Sequence, residues 1–167
     1  EALGYLDSLI NYEKTGLYDC REPFKLDRMK LLTKLLGDPH KGIRSIHVAG
    51  TKGKGSTCAI IQSILKSSGF KTGLYTSPHL VSFRERIRIN DTLISEEEVG
   101  ALTELVKKSA DRLEGSRPTF FEACTALAYL HFNREKPDFV IYEVGLGGSL
   151  DATNVIEPTV CAITPIS

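Results

Sequence analysis

The chain has 167 residues, 41% of them hydrophobic and 25% charged, which suits a soluble globular protein and excludes a disordered one. At about 150 residues per domain, that length allows one domain, or one and a fragment. Twenty-one Lys and Arg balance twenty-one Asp and Glu, so the zero net charge gives no global attraction for phosphate polymers, and neither nucleic acid nor membrane is an expected partner.

The longest apolar runs, such as Phe139-Val140-Ile141-Tyr142, fall far short of the roughly 18–20 residues that span a bilayer. No charged segment followed by an apolar core opens the chain, so a secretory leader is not expected. The sequence opens at Glu1 without Met and stops at Ser167 just after a strand-like run, and the expectation is a piece of a longer protein.

In chain order, Leu26, Met29, Leu32 and Leu36 follow a helical spacing that Gly37-Asp38-Pro39 stops. Ser45 to Ala49 reads as a strand running into a glycine-rich stretch. Residues 57–68 form the next helix, with Ile60, Ile61, Ile64 and Leu65 on one face and Gly69 as its stop. Thr72 to Thr76 is a second strand. Arg84 to Ile89 alternates charged and apolar residues before an Asn90-Asp91 turn. That predicts a hairpin with Arg84, Arg86 and Arg88 on a solvated face. Ser95 and Glu98 fit a capping box for a helix to about Leu113. A further helix is expected over 120–133, and strands over 138–144 and 159–164. Strands alternating with helices imply an α/β fold with a mostly parallel sheet flanked by helices.

Cys20, Cys58, Cys124 and Cys161 form no CxxC or Cys/His cluster. The last three lie in apolar stretches, so they read as reduced, buried thiols of a cytoplasmic protein, and no thiolate metal site is expected. His40, His47 and His131 read as packing or surface residues.

Gly50-Thr51-Lys52-Gly53-Lys54-Gly55-Ser56-Thr57 sits between a strand and a helix, where a phosphate-binding loop belongs. Glycines let successive amides turn around an anion, and the helix N-terminus adds partial positive charge. Lys54 can reach the β- and γ-phosphates of a nucleotide, and Ser56 or Thr57 can offer a hydroxyl to a magnesium ion. Against the pattern GxxxxGK[ST], Val48 stands at the first glycine and Gly55 at the hydroxyl position, so the serine has slipped one place. A glycine-rich turn is often only a tight connection. The strand–loop–helix context favours phosphate.

Four blocks carry a resemblance: His47 to Thr57 around that loop; Tyr75-Thr76-Ser77-Pro78-His79-Leu80; Arg84-Glu85-Arg86-Ile87-Arg88; and Glu143-Val144-Gly145-Leu146-Gly147-Gly148 with Asp151-Ala152-Thr153-Asn154. In this order and spacing the chain resembles the folylpolyglutamate synthase / dihydrofolate synthase family of the Mur ligase superfamily. Lys52 departs from the Asn of many bacterial members and matches the Lys frequent in eukaryotic-type ones.

The resemblance implies a P-loop, Mur ligase central-domain type of fold, with residues 1–167 the N-terminal ATP-binding part, incomplete at its C-terminal end. A glutamate-binding Rossmann-like domain would lie outside these residues, and the segment alone would not complete ligation. The implied activity is that of an ATP- and Mg²⁺-dependent amide ligase, monomeric, joining L-glutamate to dihydropteroate or to the γ-carboxylate of folates through an acyl phosphate. Gly50 to Thr57 would bind ATP, with Lys54 and Glu143 catalytic. Ser56, Ser77 and Glu143 would hold magnesium. Ser77, Pro78, His79, Phe120, Phe121, Asp151 and Asn154 would line the pterin site, with Glu122 a weaker candidate. Core packing is the competing reading for Phe120 and Phe121, and an ion pair with arginine for Glu143. Another Mur-type ligase and a non-catalytic nucleotide-binding module are the alternatives.

Overall fold

The computed structural model describes residues 2–15, 26–113, 115 and 117–167. Its helices are α1 (Ala2–Asp7), α2 (Tyr12–Thr15), α3 (Leu26–Leu35), α4 (Lys54–Ser67), α5 (Glu96–Ala110) and α6 (Phe120–Glu135). Its strands are β1 (Ser45–Ala49), β2 (Thr72–Tyr75), β3 (Ile87–Ile89), β4 (Thr92–Leu93), β5 (Phe139–Glu143) and β6 (Val160–Ile163). Short 3₁₀ turns cover Phe83–Arg86 and Ala152–Val155. Cys20 lies outside the described residues.

The strands form one sheet in the order β4-β3-β2-β5-β1-β6. β2, β5, β1 and β6 run parallel, and the antiparallel β3 and β4 finish one edge. The mostly parallel α/β expectation therefore holds, with a mixed edge.

Side chains on a strand alternate between faces, and each face here is buried by helices. Val48, Leu74 and Ile141 pack on one face against Cys58 of α4, with Ile61 and Leu65 alongside. The opposite face carries the larger core, where Leu6, Met29, Leu102 and Leu127 meet Tyr75, Val140 and Tyr142. Each fully buried side chain of this size contributes roughly 1.5–3 kcal/mol by leaving water. On β5, Ile141 and Glu143 share the α4 face while Val140 and Tyr142 turn to the other. That alternation aims Glu143 at the start of α4.

The Arg84–Ile89 hairpin face is corrected. Ser82 accepts from the Arg84 amide, and the Glu85 carboxylate accepts from the Leu80, Val81 and Ser82 amides. This capping box winds Phe83–Arg86 into a 3₁₀ turn, so strand alternation starts only at Ile87. The arginines consequently do not share a solvated face. Arg86 is 1% exposed.

Ser95 does cap α5, accepting from the Glu98 amide at 3.1 Å. The Glu98 carboxylate, expected to reach back to that cap, instead meets His131 Nδ1 at 2.9 Å. A complete capping box opens α6 at Thr119 and Glu122, at the same spacing as Ser95 and Glu98. Helix α4 begins at Lys54, three residues earlier than expected, inside the glycine-rich stretch. Cys58 and Cys124 are buried as expected, whereas Cys161, on β6, is exposed. Among the described residues no helix is long and apolar enough to cross a membrane.

Candidate functional site

The four parallel strands end along one border of the sheet, where the glycine loop follows β1, Ser77-Pro78-His79 follows β2, residues 144–151 follow β5 and Thr164-Pro165 follow β6. In open α/β sheets ligands bind at this carboxyl border.

Gly53 caps α4 in the left-handed region, φ 83°, with no side-chain hydrogen bond. The first-turn amides of a helix have no partner within it, so they face out of the N-terminus with the positive end of the dipole. Lys54 bends back so that its Nζ donates to the Gly50 carbonyl at 3.0 Å. The earlier half of the loop is spent differently. Thr51 and Lys52 amides donate to the Pro165 carbonyl at 3.0 and 3.4 Å. Gly50, at φ 133°, lies so close to the segment after β6 that a Cβ there would overlap Thr164 Oγ1. This tether of the loop to residues 164–165 has no local sequence signal.

Glu143 ends β5 at 6% exposure, and its Oε2 accepts from the Ser77 amide at 3.1 Å. Burial raises its pKa above the ordinary carboxylate value, against the opposing pull of the Ser77 amide and the Lys54 charge. A Cβ on Gly55 would sit 3.5 Å from Glu143 Oε1. The face of α4 turned to the carboxylate is therefore that of Gly55. Ser56, about 100° further round the helix, is exposed. The glycine loop, Glu143 and Ser77 thus converge, and Ser56 and Thr57 stand on the helix just beyond.

The loop after β5 is organised from within. Asp151 Oδ2 accepts from the Leu146 amide at 2.8 Å, and Oδ1 accepts from the amide and hydroxyl of Thr153. Thr153 Oγ1 also meets His47 Nε2 at 2.7 Å, and Tyr129 donates its hydroxyl to the Thr153 carbonyl. Asp151 is buried, with its pKa raised by that burial. In this structure it shapes its own loop. Asn154 Nδ2 donates to the Ser149 carbonyl at 3.0 Å.

Phe120 is buried at 3% exposure, edge-on to Phe83 and beneath Arg86, so core packing accounts for it. Phe121 is half-buried, and its ring fills the space over Gly145, where a Cβ would meet it at 2.5 Å. It borders the loop after β5. Glu122 closes its capping box with the Thr119 amide and also accepts from Arg28 Nε at 2.8 Å, so its role is structural here. The Ser77–Pro78 peptide is cis, Pro78 is exposed, and His79 Nδ1 accepts from Arg86 Nε at 2.8 Å.

Mg²⁺ takes hard oxygen ligands and tolerates few protein groups, keeping several waters and bridging to phosphates. A buried carboxylate with a raised pKa, one amide partner and serine alongside fits that chemistry. Among the described residues no group of three or more His, Cys, Asp or Glu forms a closed metal cage.

A parallel sheet, a strand–glycine loop–helix turn and a strand-end acid facing it define the P-loop class of α/β domains, in its Mur ligase form. No family model matches the chain. Similar proteins are nonetheless consistent. The chain is 50% identical over 145 residues to the dihydrofolate synthase/folylpolyglutamate synthase of Bacillus subtilis, covering 84% of this chain and 34% of that protein. It is 37% identical over 173 residues to the folylpolyglutamate synthase of Lacticaseibacillus casei, covering 100% of this chain and 38% of the relative. The crystal structure of the Thermotoga maritima folylpolyglutamate synthase superposes with a TM-score of 0.87 at 40% identity, over 99% of this chain and 37% of that one. E. coli FolC in complex with DHPP and ADP matches with a TM-score of 0.83 at 36% identity, over 99% of this chain and 37% of that one. The chain is similar to folylpolyglutamate synthases and dihydrofolate synthases, and it spans about a third of the length of the curated relatives it matches.

Proposed function

We propose that the chain is the nucleotide-binding part of an ATP- and Mg²⁺-dependent amide ligase that adds L-glutamate to dihydropteroate, to the γ-carboxylate of folates, or to both. The observation that carries this reading is the convergence of the α4 N-terminus, Glu143 and the Ser77 amide at the carboxyl border of the sheet. An AMPPCP–folate complex of a folylpolyglutamate synthase, matching with a TM-score of 0.87 over 97% of this chain and 38% of that one, supports the substrate classes.

A carboxylate is a poor electrophile at neutral pH, so ligation begins by activating it. The pterin substrate's carboxylate oxygen attacks the γ-phosphorus of ATP, and ADP leaves. The amine of glutamate then attacks the acyl carbon and gives up a proton, and phosphate departs with the C–O electron pair. Such phosphoryl transfer depends on positioning and charge neutralisation more than on covalent work by the protein. The α4 amides would cradle phosphate oxygens, and Lys54 would leave the Gly50 carbonyl to meet the β- and γ-phosphates. Glu143 and Ser77 would hold magnesium, with Ser56 and Thr57 on the phosphate side; the ion supplies positive charge to the phosphate oxygens. Phe121, Asn154, Pro78 and the loop shaped by Asp151 would border the pterin. A second, glutamate-binding domain is the complement this reading requires. The protein would act as a monomer in the cytoplasm on small molecules.

The decisive assay measures glutamate-dependent phosphate release by the full-length protein with and without dihydropteroate or tetrahydrofolate. Release indifferent to any pterin would sink the proposal. Lys54→Ala and Glu143→Gln should each slow turnover by at least about a hundredfold, the scale of one transition-state electrostatic contact. Near-normal rates in either variant would remove that residue from the phosphate site.

A further inference from the structure

Among the described residues Arg86 is the bulkiest fully buried side chain, although it carries a charge that never titrates away. A buried guanidinium without partners is costly by several kcal/mol. Its partners are specific. Both terminal nitrogens donate to the Glu13 carboxylate of α2, the first at 3.0 Å to Oε1. The Phe120 ring lies beneath it, 5.2 Å from the guanidinium carbon to the ring centroid. A third donor, Nε–H, points at His79 Nδ1 at 2.8 Å. That nitrogen must therefore be an acceptor, which fixes the neutral imidazole with its proton on Nε2.

The backbone of the same residue does a second job, since the Arg86 carbonyl accepts from the Thr76 amide at 3.0 Å. Residue 86 thus grips the chain at Thr76 with its backbone and at His79 with its side chain. Between those two points lies Ser77, whose amide donates to Glu143. The next stretch is held separately by Glu85, through the amides of Leu80, Val81 and Ser82.

We propose that Arg86 is a positioning residue, clamping Thr76 to His79 so that Ser77 is presented to Glu143, with Glu13 supplying the countercharge that keeps the clamp closed. The proposal rests on Glu143 and Ser77 forming the metal side of the nucleotide site. Arg86 touches no reacting atom in this scheme. It acts through His79 and the backbone.

The test uses four forms of the full-length protein: parent, Arg86→Lys, His79→Asn and His79→Gln. The Asn oxygen stands near the position of Nδ1 and can accept from Arg86, whereas the Gln amide reaches toward Nε2. Arg86→Lys and His79→Gln should lower kcat for pterin-dependent phosphate release about tenfold to a hundredfold, the cost of a small misplacement. KM for ATP should stay within about twofold, since the α4 amides are untouched. His79→Asn, which keeps the acceptor for Arg86, should lose markedly less kcat than His79→Gln. Amide hydrogen exchange across residues 76–79 should quicken about tenfold in the first two variants but not across β1 and β5.

Equal loss in His79→Asn and His79→Gln would overturn the proposal, as would unchanged kcat in both Arg86→Lys and His79→Gln, or a loss carried by KM for ATP. If Arg86→Lys raises exchange throughout the molecule, it has unfolded, and the two His79 variants decide. If the parent releases no phosphate in response to a pterin, the functional reading has failed; unchanged exchange across 76–79 then overturns the clamp by itself.

Discussion

His47 shows how a residue on the far side of a strand from the phosphate loop can still govern the site's border. It projects from β1 away from α4, and its Nε2 meets the hydroxyl that also donates to Asp151. Burial lowers the pKa of His47, and of His40, below the ordinary value for histidine. A depressed histidine contributes stability that is present above its unfolded pKa and lost as pH falls from there toward the folded value, because the unfolded chain takes up a proton the native one resists. Asp151 and Glu143, both raised by burial, work in the opposite sense: their contribution is present at low pH and lost as pH rises through the folded value. The informative quantity is therefore the difference between parent and variant. His47→Gln keeps a donor near Nε2 without a titrating ring, so its Tm should hold better than the parent's as pH falls from 7.5 to 5. Parallel Tm curves would show that His47 does not titrate between folded and unfolded states.

At the level of elements, the glycine loop and the α6 cap illustrate strained and ordinary termini. Gly50 combines φ 133° with a neighbour, Thr164, that leaves no room for a Cβ. Gly50→Ala should destabilise by about 1–3 kcal/mol from backbone strain alone, with the clash added. It should also displace the segment after β6 from the loop. Thr119→Ala removes a cap of the usual kind and should cost about 1 kcal/mol, without changing nucleotide affinity. Urea denaturation of both variants checks the order. A Gly50→Ala chain as stable as Thr119→Ala would mean that the close approach to Thr164 does not exist in solution. The two caps also differ in legibility. Ser95 is legible as a cap from its spacing to Glu98, yet Thr119-Phe120-Phe121-Glu122 has the same spacing and its acid reads from sequence as a weaker pterin candidate. Spacing alone does not say which carboxylates are consumed by backbone amides.

Across the whole molecule, protection should follow the sheet order. β5 and β1 are paired on both sides and covered on both faces, so their amides should exchange slowest. β4 pairs only with β3, through two residues, so it should exchange faster. Hydrogen exchange read by mass spectrometry over these peptides tests the gradient; equal protection of β4 and β5 would contradict this strand order.

The sequence by itself determined the alternation of strands and helices, the loop between β1 and α4, and the strand-end position of Glu143. Each depends on neighbours a few residues apart: a period of two or 3.6, a glycine at a turn, an acid after an apolar run. The family resemblance, too, rests on short blocks in order. Only the tertiary structure decided what depends on distant partners. It turned Gly55 and not Ser56 toward Glu143, tied Thr51 and Lys52 to Pro165, and spent Asp151 and Glu122 on hydrogen bonds within and between their own elements. It also took Arg86 out of an expected solvated row and buried it between Glu13 and His79. A charged side chain reads as surface in a sequence because burying it is costly. Counter-groups seven and seventy-three residues away offset that cost, and only the folded chain brings them together.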